Sequence, residues 1–212
     1  MDKLLIILIF ISVLFFSCFI NSNEKSNFEF ESDNKLTSST KIIIQKTWKQ
    51  QPDGYIYPIN IKVPEEPKPA EGFPICILLH GNGSNGLSMI NQFSSVLERH
   101  ILIAPTGYLN SWNICDERSN APDLEMVDEL VNTLANYSNI NLNKIRILGN
   151  SNGAGLANNI FIQNENPSID IICAVVSHLN VPQYHDNNFY KNTAITNPMS
   201  PFCGYEEITY PI

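Results

Sequence analysis

The stretch Ile145-Arg146-Ile147-Leu148-Gly149-Asn150-Ser151-Asn152-Gly153-Ala154-Gly155-Leu156 decides the fold. Ile145 to Leu148 is an apolar run of the kind that forms a buried strand, and Leu156 to Gln163 reads as helix. Between them lies a G-x-S-x-G pentapeptide, the sequence form of a nucleophile elbow. A serine hydroxyl is a weak nucleophile unless it is held out on a sharp strand-to-helix turn beside a base. Glycines two before and two after Ser151 leave room for such a turn, where a side chain would strike the neighbouring strand and helix. The same turn aims the backbone amide of Asn152 at the carbonyl oxygen under attack, which gives one half of an oxyanion hole.

The pentapeptide alone is a weak signal, because a Gly-rich turn at the end of any strand can match it. The order of elements around it carries the inference. Ile75-Cys76-Ile77-Leu78-Leu79 is a second continuous apolar run, and it leads into His80-Gly81-Asn82-Gly83-Ser84-Asn85-Gly86. Where an elbow of this type is used, a loop opening His-Gly after an earlier strand supplies the other oxyanion amide, here from Gly81 or Asn82. The glycines at 81, 83 and 86 let the backbone approach a substrate closely.

Outward from these two motifs the chain continues as alternating elements. Ile42-Ile43-Ile44 and Tyr55 to Val63 read as half-buried strands, with turn chemistry at Gln51-Pro52-Asp53-Gly54. Pro64, Pro67 and Pro69 mark an exposed connection, and Ile101 to Ala104 is a short buried strand closed by Pro105. Leu124, Val127, Leu130, Val131, Leu134 and Tyr137 fall three or four apart, which predicts a helix capped near Asn120 or Ala121. Its acids Asp123, Glu125, Asp128 and Glu129 fall on other faces, those of the first turns where the dipole favours them. Ile169 to Val176 is one more apolar strand. Strand, helix and strand in alternation imply an α/β fold with a doubly wound, mostly parallel sheet covered on both faces.

The N-terminus stands apart from that fold. After Met1-Asp2-Lys3, the run Leu4 to Ile20 is almost wholly apolar and then turns abruptly polar, the pattern of an export signal over residues 1–20. Leu14-Phe15-Phe16-Ser17-Cys18 also resembles a bacterial lipoprotein signal, although Phe15 departs from the usual residue there. Residues 21–40 have the composition of a polar tether, and 41–212 are assigned to the catalytic-type domain. The expected location is therefore secreted or at the cell surface, with membrane attachment only through that signal or a lipid on Cys18.

From Ile75 to about Val176 the chain resembles the polyhydroxybutyrate depolymerase and feruloyl esterase-like branch of the α/β-hydrolase superfamily. The matching residues are Leu79-His80-Gly81, Ala104-Pro105-Thr106-Gly107, Trp112-Asn113, the acidic helix opening at Pro122-Asp123, Asn143-Lys144-Ile145-Arg146, and Ser151-Asn152-Gly153. The resemblance implies an exported serine carboxylic-ester hydrolase with no metal or organic cofactor, acting on a polymeric or small ester. Ser151 is then the nucleophile, and Asn152 with Gly81 or Asn82 is the oxyanion hole. Trp112 and Asn113 either line the acyl or alcohol side or, in the case of Trp112, pack a lid.

The rest of the triad departs from that pattern. In this fold the acid and the histidine follow the serine, on loops after later strands. Beyond Val176 the chain has no clear further strand and helix pair, so the sheet is expected to be cut short in its C-terminal part, with acid and base lying past Ile212. His178 follows the strand beside the elbow strand, where a substrate-loop role outweighs that of base, while His100 precedes a strand at the wrong edge. The competing reading is a noncatalytic exported binding module on the same fold. A net charge of −8 argues against a nucleic-acid partner, which calls for a basic stripe. Cysteine spacing offers no zinc-like cluster. If one disulfide forms, Cys115 to Cys203 is the preferred pair, with Cys76 and Cys173 as core thiols separated by the elbow strand.

Overall fold

A computed structural model describes residues 34–114, 117–163 and 166–176, together with the backbone of Tyr184–His185 and Asn188–Phe189. Its centre is a five-stranded sheet in the order β3-β5-β4-β6-β7, formed by β3 (Ile59–Lys62), β4 (Phe73–Leu79), β5 (Ile101–Pro105), β6 (Ile140–Asn150) and β7 (Ile169–Val175). β5, β4, β6 and β7 run parallel, and β3 closes one edge antiparallel to β5. β4 and β5 are the most continuous apolar runs of the sequence because both of their faces are covered, whereas β6 and β7 alternate buried with partly exposed residues.

Alternation along β4 divides the core in two. Ile75, Ile77 and Leu79 enter a large cluster with Ile145 and Ile147 of β6, covered by α2 (Asp123–Leu134) and α3 (Asn152–Gln163). Cys76 and Leu78 face the other side, where Met89 and Ile90 of α1 (Gly86–Phe93) and Leu102 and Ala104 of β5 complete a smaller cluster. Sequence periodicity did not reveal α1, whose opening is rich in Gly, Asn and Ser. Its start is nevertheless encoded, since the Asn85 side chain accepts the Ser88 amide at 3.0 Å as an N-cap.

Several boundaries differ from the sequence reading. Ile42–Ile44 is not strand, although Ile42 and Ile44 are buried and Ile43 is exposed. The hairpin is β1 (Gln45–Trp48) with β2 (Gln51–Ile56), turning at Lys49–Gln50 because Trp48 pairs with Gln51. Gln51 to Gly54 therefore lies in a strand, not a turn; a two-stranded ribbon has an edge on which Pro52 leaves no ladder bond broken. α2 begins after Pro122, with no side-chain cap. Leu36, within the expected tether, is 1% exposed and belongs to the main core. Asn139 holds it there, its Oδ1 accepting the Leu36 amide at 2.8 Å and its Nδ2 donating to the Leu36 carbonyl at 2.9 Å. The packed domain thus reaches N-terminal of Lys41.

β6 separates β4 from β7, so Cys76 and Cys173 sit two strands apart, beyond disulfide reach, and both remain thiols. Burial pushes the Cys76 thiol up to about 12. His178, Cys115 and Cys203 lie outside the described residues. The backbone of β8 (Tyr184–His185) pairs antiparallel with β9 (Asn188–Phe189).

Candidate active site

Ser151 sits at the C-terminal end of β6, exposed, with φ +51. An L-residue pays about 1–2 kcal/mol to adopt that left-handed conformation, and such strain persists only where the surroundings fix it. Here they do. The Ser151 amide donates to the Val175 carbonyl of β7 at 2.9 Å, and the Ser151 carbonyl accepts the amides of Ala154 at 2.8 Å and Gly155 at 3.1 Å as α3 begins. A Cβ added to Gly149 would lie 2.1 Å from the Gly153 carbonyl oxygen. One added to Gly153 would lie 2.2 Å from the Leu79 oxygen and 2.6 Å from that of His80. Both elbow glycines are therefore required by contact with backbone, which cannot step aside.

The two motifs meet. A Cβ built on Gly81 would stand 3.4 Å from the Ser151 Cβ and 3.9 Å from its Oγ, so the loop after β4 lies against the serine. Gly81 to Ser84 is a tight turn, with the Ser84 amide on the Gly81 carbonyl at 3.0 Å and Gly83 at φ +77. The amide of Asn152 is the first of α3, at the helix N-terminus, where no preceding turn supplies an acceptor and the dipole favours negative charge.

His80 braces this arrangement from below. It is fully buried, its Nε2 accepts the Gly107 amide at 3.0 Å, and its Nδ1 is 2.8 Å from the Gly81 carbonyl. Accepting at Nε2 places the proton on Nδ1, so the ring is neutral; desolvation by burial holds its pKa below the usual value. With both nitrogens engaged, His80 is no general base. His100 stands before β5 at the opposite edge, 2.7 Å from an Arg146 nitrogen. Asp170, at the start of β7, is on that far edge too, 4.0 Å from Arg146. Among the residues with described side chains, no histidine is placed to take the Ser151 proton.

Trp112 does not line an opening, whereas Asn113 is partly exposed. Trp112 is 0% exposed, its ring packs on His80 at 4.7 Å between centroids, and its Nε1 donates to the His80 carbonyl at 2.8 Å. Asn113 uses its amide on Asp123 at 2.7 Å and its Nδ2 on the Ala121 carbonyl at 3.1 Å. Trp112 thereby holds the segment between β5 and α2 on His80, and Asn113 ties the same segment to the start of α2. Sequence reading missed how Asn152 takes part: its side chain accepts the Trp112 amide at 2.8 Å and donates to the Trp112 carbonyl at 3.2 Å. A side-chain amide can make that two-way clasp on a peptide unit, which gives the Asn of Ser-Asn-Gly a physical reason.

Asp123 is the second surprise. Read as a solvated acid, it is 2% exposed, accepting from the Tyr57 hydroxyl at 3.0 Å and the Asn113 amide. Burial raises its pKa from 3.8 to about 7 against the opposing pull of those hydrogen bonds, with a smaller upward push from Glu125. Because the folded value lies above the unfolded one, the folded state holds a proton that the unfolded state releases, and stability from this group is lost as pH rises from 3.8 to about 7. Asp123→Asn retains an acceptor for the Asn113 amide and carries no charge. Its stability relative to the native protein is expected to rise by about 2–4 kcal/mol between pH 4 and pH 8. Urea unfolding of both proteins at the two pH values measures this, and a constant difference would contradict the assignment.

A polar groove of about 960 Å³, lined by Lys46, Glu125, Asp128, Asn132, Gln163 and Asn166 among others, is not this site. Gln163 ends α3, about 16 Å along the helix from Asn152.

No protein-family model matches the chain, and no curated protein sequence matches it. Solved structures do. The poly(3-hydroxybutyrate) depolymerase LpqC of Bordetella parapertussis superimposes with a TM-score of 0.53 at 13% identity, over 72% of this chain and 59% of that one. Serine hydrolase F of Staphylococcus aureus, described as fluorophosphonate-binding, superimposes with a TM-score of 0.50 at 11% identity, over 76% of this chain and 68% of that one. A 2,6-dihydroxy-pseudo-oxynicotine hydrolase aligns at 18% identity and a TM-score of 0.47, over 63% of this chain but only 36% of its own length. With the sheet order, the superpositions on the depolymerase and on serine hydrolase F establish the α/β-hydrolase fold.

Proposed function

We propose that the protein is a serine-dependent carboxylic-ester hydrolase acting outside the cytoplasm. The observation that carries this reading is the left-handed, exposed Ser151, held between two glycines that tolerate no Cβ and in contact with the Gly81 loop. A fold element with no chemical task has no use for a strained serine at that crest. The Ser151 Oγ attacks the ester carbonyl, its proton passing to a histidine outside the described side chains. The amides of Asn152 and of Gly81 or Asn82 receive the developing oxyanion. Collapse expels the alcohol and leaves an acyl-serine, which water hydrolyses to the acid. No step calls for a metal or organic cofactor.

Export rests on the apolar run Leu4 to Ile20 and the polar turn after it. The depolymerase structure of the same fold supports an ester, polymeric or small, as substrate class.

Stopped-flow hydrolysis of p-nitrophenyl acetate by the full-length protein is expected to release a burst of about one equivalent of nitrophenol before steady turnover, the signature of acyl-enzyme accumulation. Absence of both burst and turnover would favour a noncatalytic binding module on this fold.

A further inference from the structure

The segment between β5 and α2 crosses the candidate site as a strap, and it touches both halves of the oxyanion hole. At one point the Asn110 carbonyl accepts the Gly83 amide at 2.8 Å while the Asn110 Nδ2 donates to the Ser84 carbonyl at 2.7 Å. At another, Trp112 is clasped on both its amide and its carbonyl by the Asn152 side chain. On either side of Asn110, His80 holds the strap through the Gly107 amide and the Trp112 indole.

The strap is strained where it does this. Leu109 (φ 56, ψ 27) and Asn110 (φ 56) are consecutive left-handed residues, neither of them glycine. Leu109 is 54% exposed, so burial of its own side chain does not explain the conformation. What the two left-handed residues achieve is to turn both the carbonyl and the side chain of Asn110 onto the Gly81–Ser84 turn. Strained backbone of this kind gathers where a geometry must be held against relaxation.

We infer that Asn110 is a positioning residue of the oxyanion hole, fixing the Gly81–Asn82 amides relative to the Asn152 amide through the strap that Asn152 itself clasps. This rests on the ester-hydrolase reading. The oxyanion donors come from two loops far apart in sequence, and a misplacement of either by a fraction of an ångström weakens only the transition state, where the charge develops. Asn110 acts on that separation without touching substrate.

The test uses the full-length protein with Asn110→Gly, which keeps the left-handed backbone and the carbonyl for Gly83 but removes the donor to Ser84, and Asn110→Asp, which faces the Ser84 carbonyl with an acceptor. On p-nitrophenyl acetate kcat is expected to fall about tenfold for the glycine variant and further for the aspartate, with KM within about twofold. The inhibition constant of a trifluoromethyl ketone, which binds as the oxyanion, is expected to rise by the same factor as kcat/KM falls. A brace that merely stabilised the fold would lower the melting temperature and leave both quantities unchanged in the folded enzyme. Unchanged kcat and ketone affinity in the glycine variant, with the unmodified protein active, would overturn this inference alone. An unmodified protein that turns over no ester would overturn the hydrolase reading, and this inference with it.

Discussion

Ser151→Ala is expected to lower kcat/KM for p-nitrophenyl esters by about 10⁴-fold or more in the full-length protein, leaving the melting temperature within a few degrees of the native value. The rate effect follows from losing the only atom that forms the acyl bond. What stays behind is the pair of oxyanion amides, which alone give a residual acceleration of about 10³–10⁴ over water. The small stability effect follows from exposure and strain. Ser151 is at the surface, and removing its hydroxyl leaves no buried polar group unpaired. The left-handed backbone at φ +51 is disfavoured for alanine much as for serine. A variant that kept a tenth of the activity would place the chemistry elsewhere.

Gly153→Ala carries the largest expected loss of stability, about 3–5 kcal/mol, which is much of what a domain of this size has in reserve. The added methyl would stand 2.2 Å from the Leu79 oxygen and 2.6 Å from the His80 oxygen, so α3 must lift from the sheet or β4 must bend at the point where the oxyanion loop begins. Gly83→Ala supplies the control. Gly83 has positive φ, which Gly153 does not, and nothing lies within 4 Å of where its Cβ would go, so only the conformational cost of about 1–2 kcal/mol applies. Urea midpoints of the two variants separate contact from strain. A loss at Gly153 no larger than that at Gly83 would mean that the backbone around the elbow yields to the added methyl, contrary to the contacts described.

The parts of this molecule legible in its sequence are those whose surroundings are uniform. β4 and β5 are covered on both faces and read as nearly unbroken apolar runs, β6 and β7 bury one face and still keep an aliphatic core, and the elbow is announced by its paired glycines. The order of those pieces located Ser151 beside Gly81. Legibility failed wherever the deciding partner is distant. Asp123 is an ordinary acid in the first turn of a helix until Tyr57, 66 residues earlier in the chain, donates to it. Leu36 is one aliphatic residue in a polar stretch until Asn139 clasps its backbone, 103 residues on. Trp112 near a catalytic edge could face outward or inward, and only the position of the His80 ring decides for inward. The strap gave no warning at all, because its left-handed residues are Leu109 and Asn110 where a turn signal would have been glycine.

The central claim is that a nucleophilic hydroxyl is presented at position 151 with two main-chain donors converging on it. Its most direct test is to treat the full-length protein with a fluorophosphonate at neutral pH and map the adduct by peptide mass spectrometry. A single phosphonylated residue is predicted, Ser151, on the peptide that spans Gly149 to Gly155. No adduct, or an adduct on any other residue, would contradict the account.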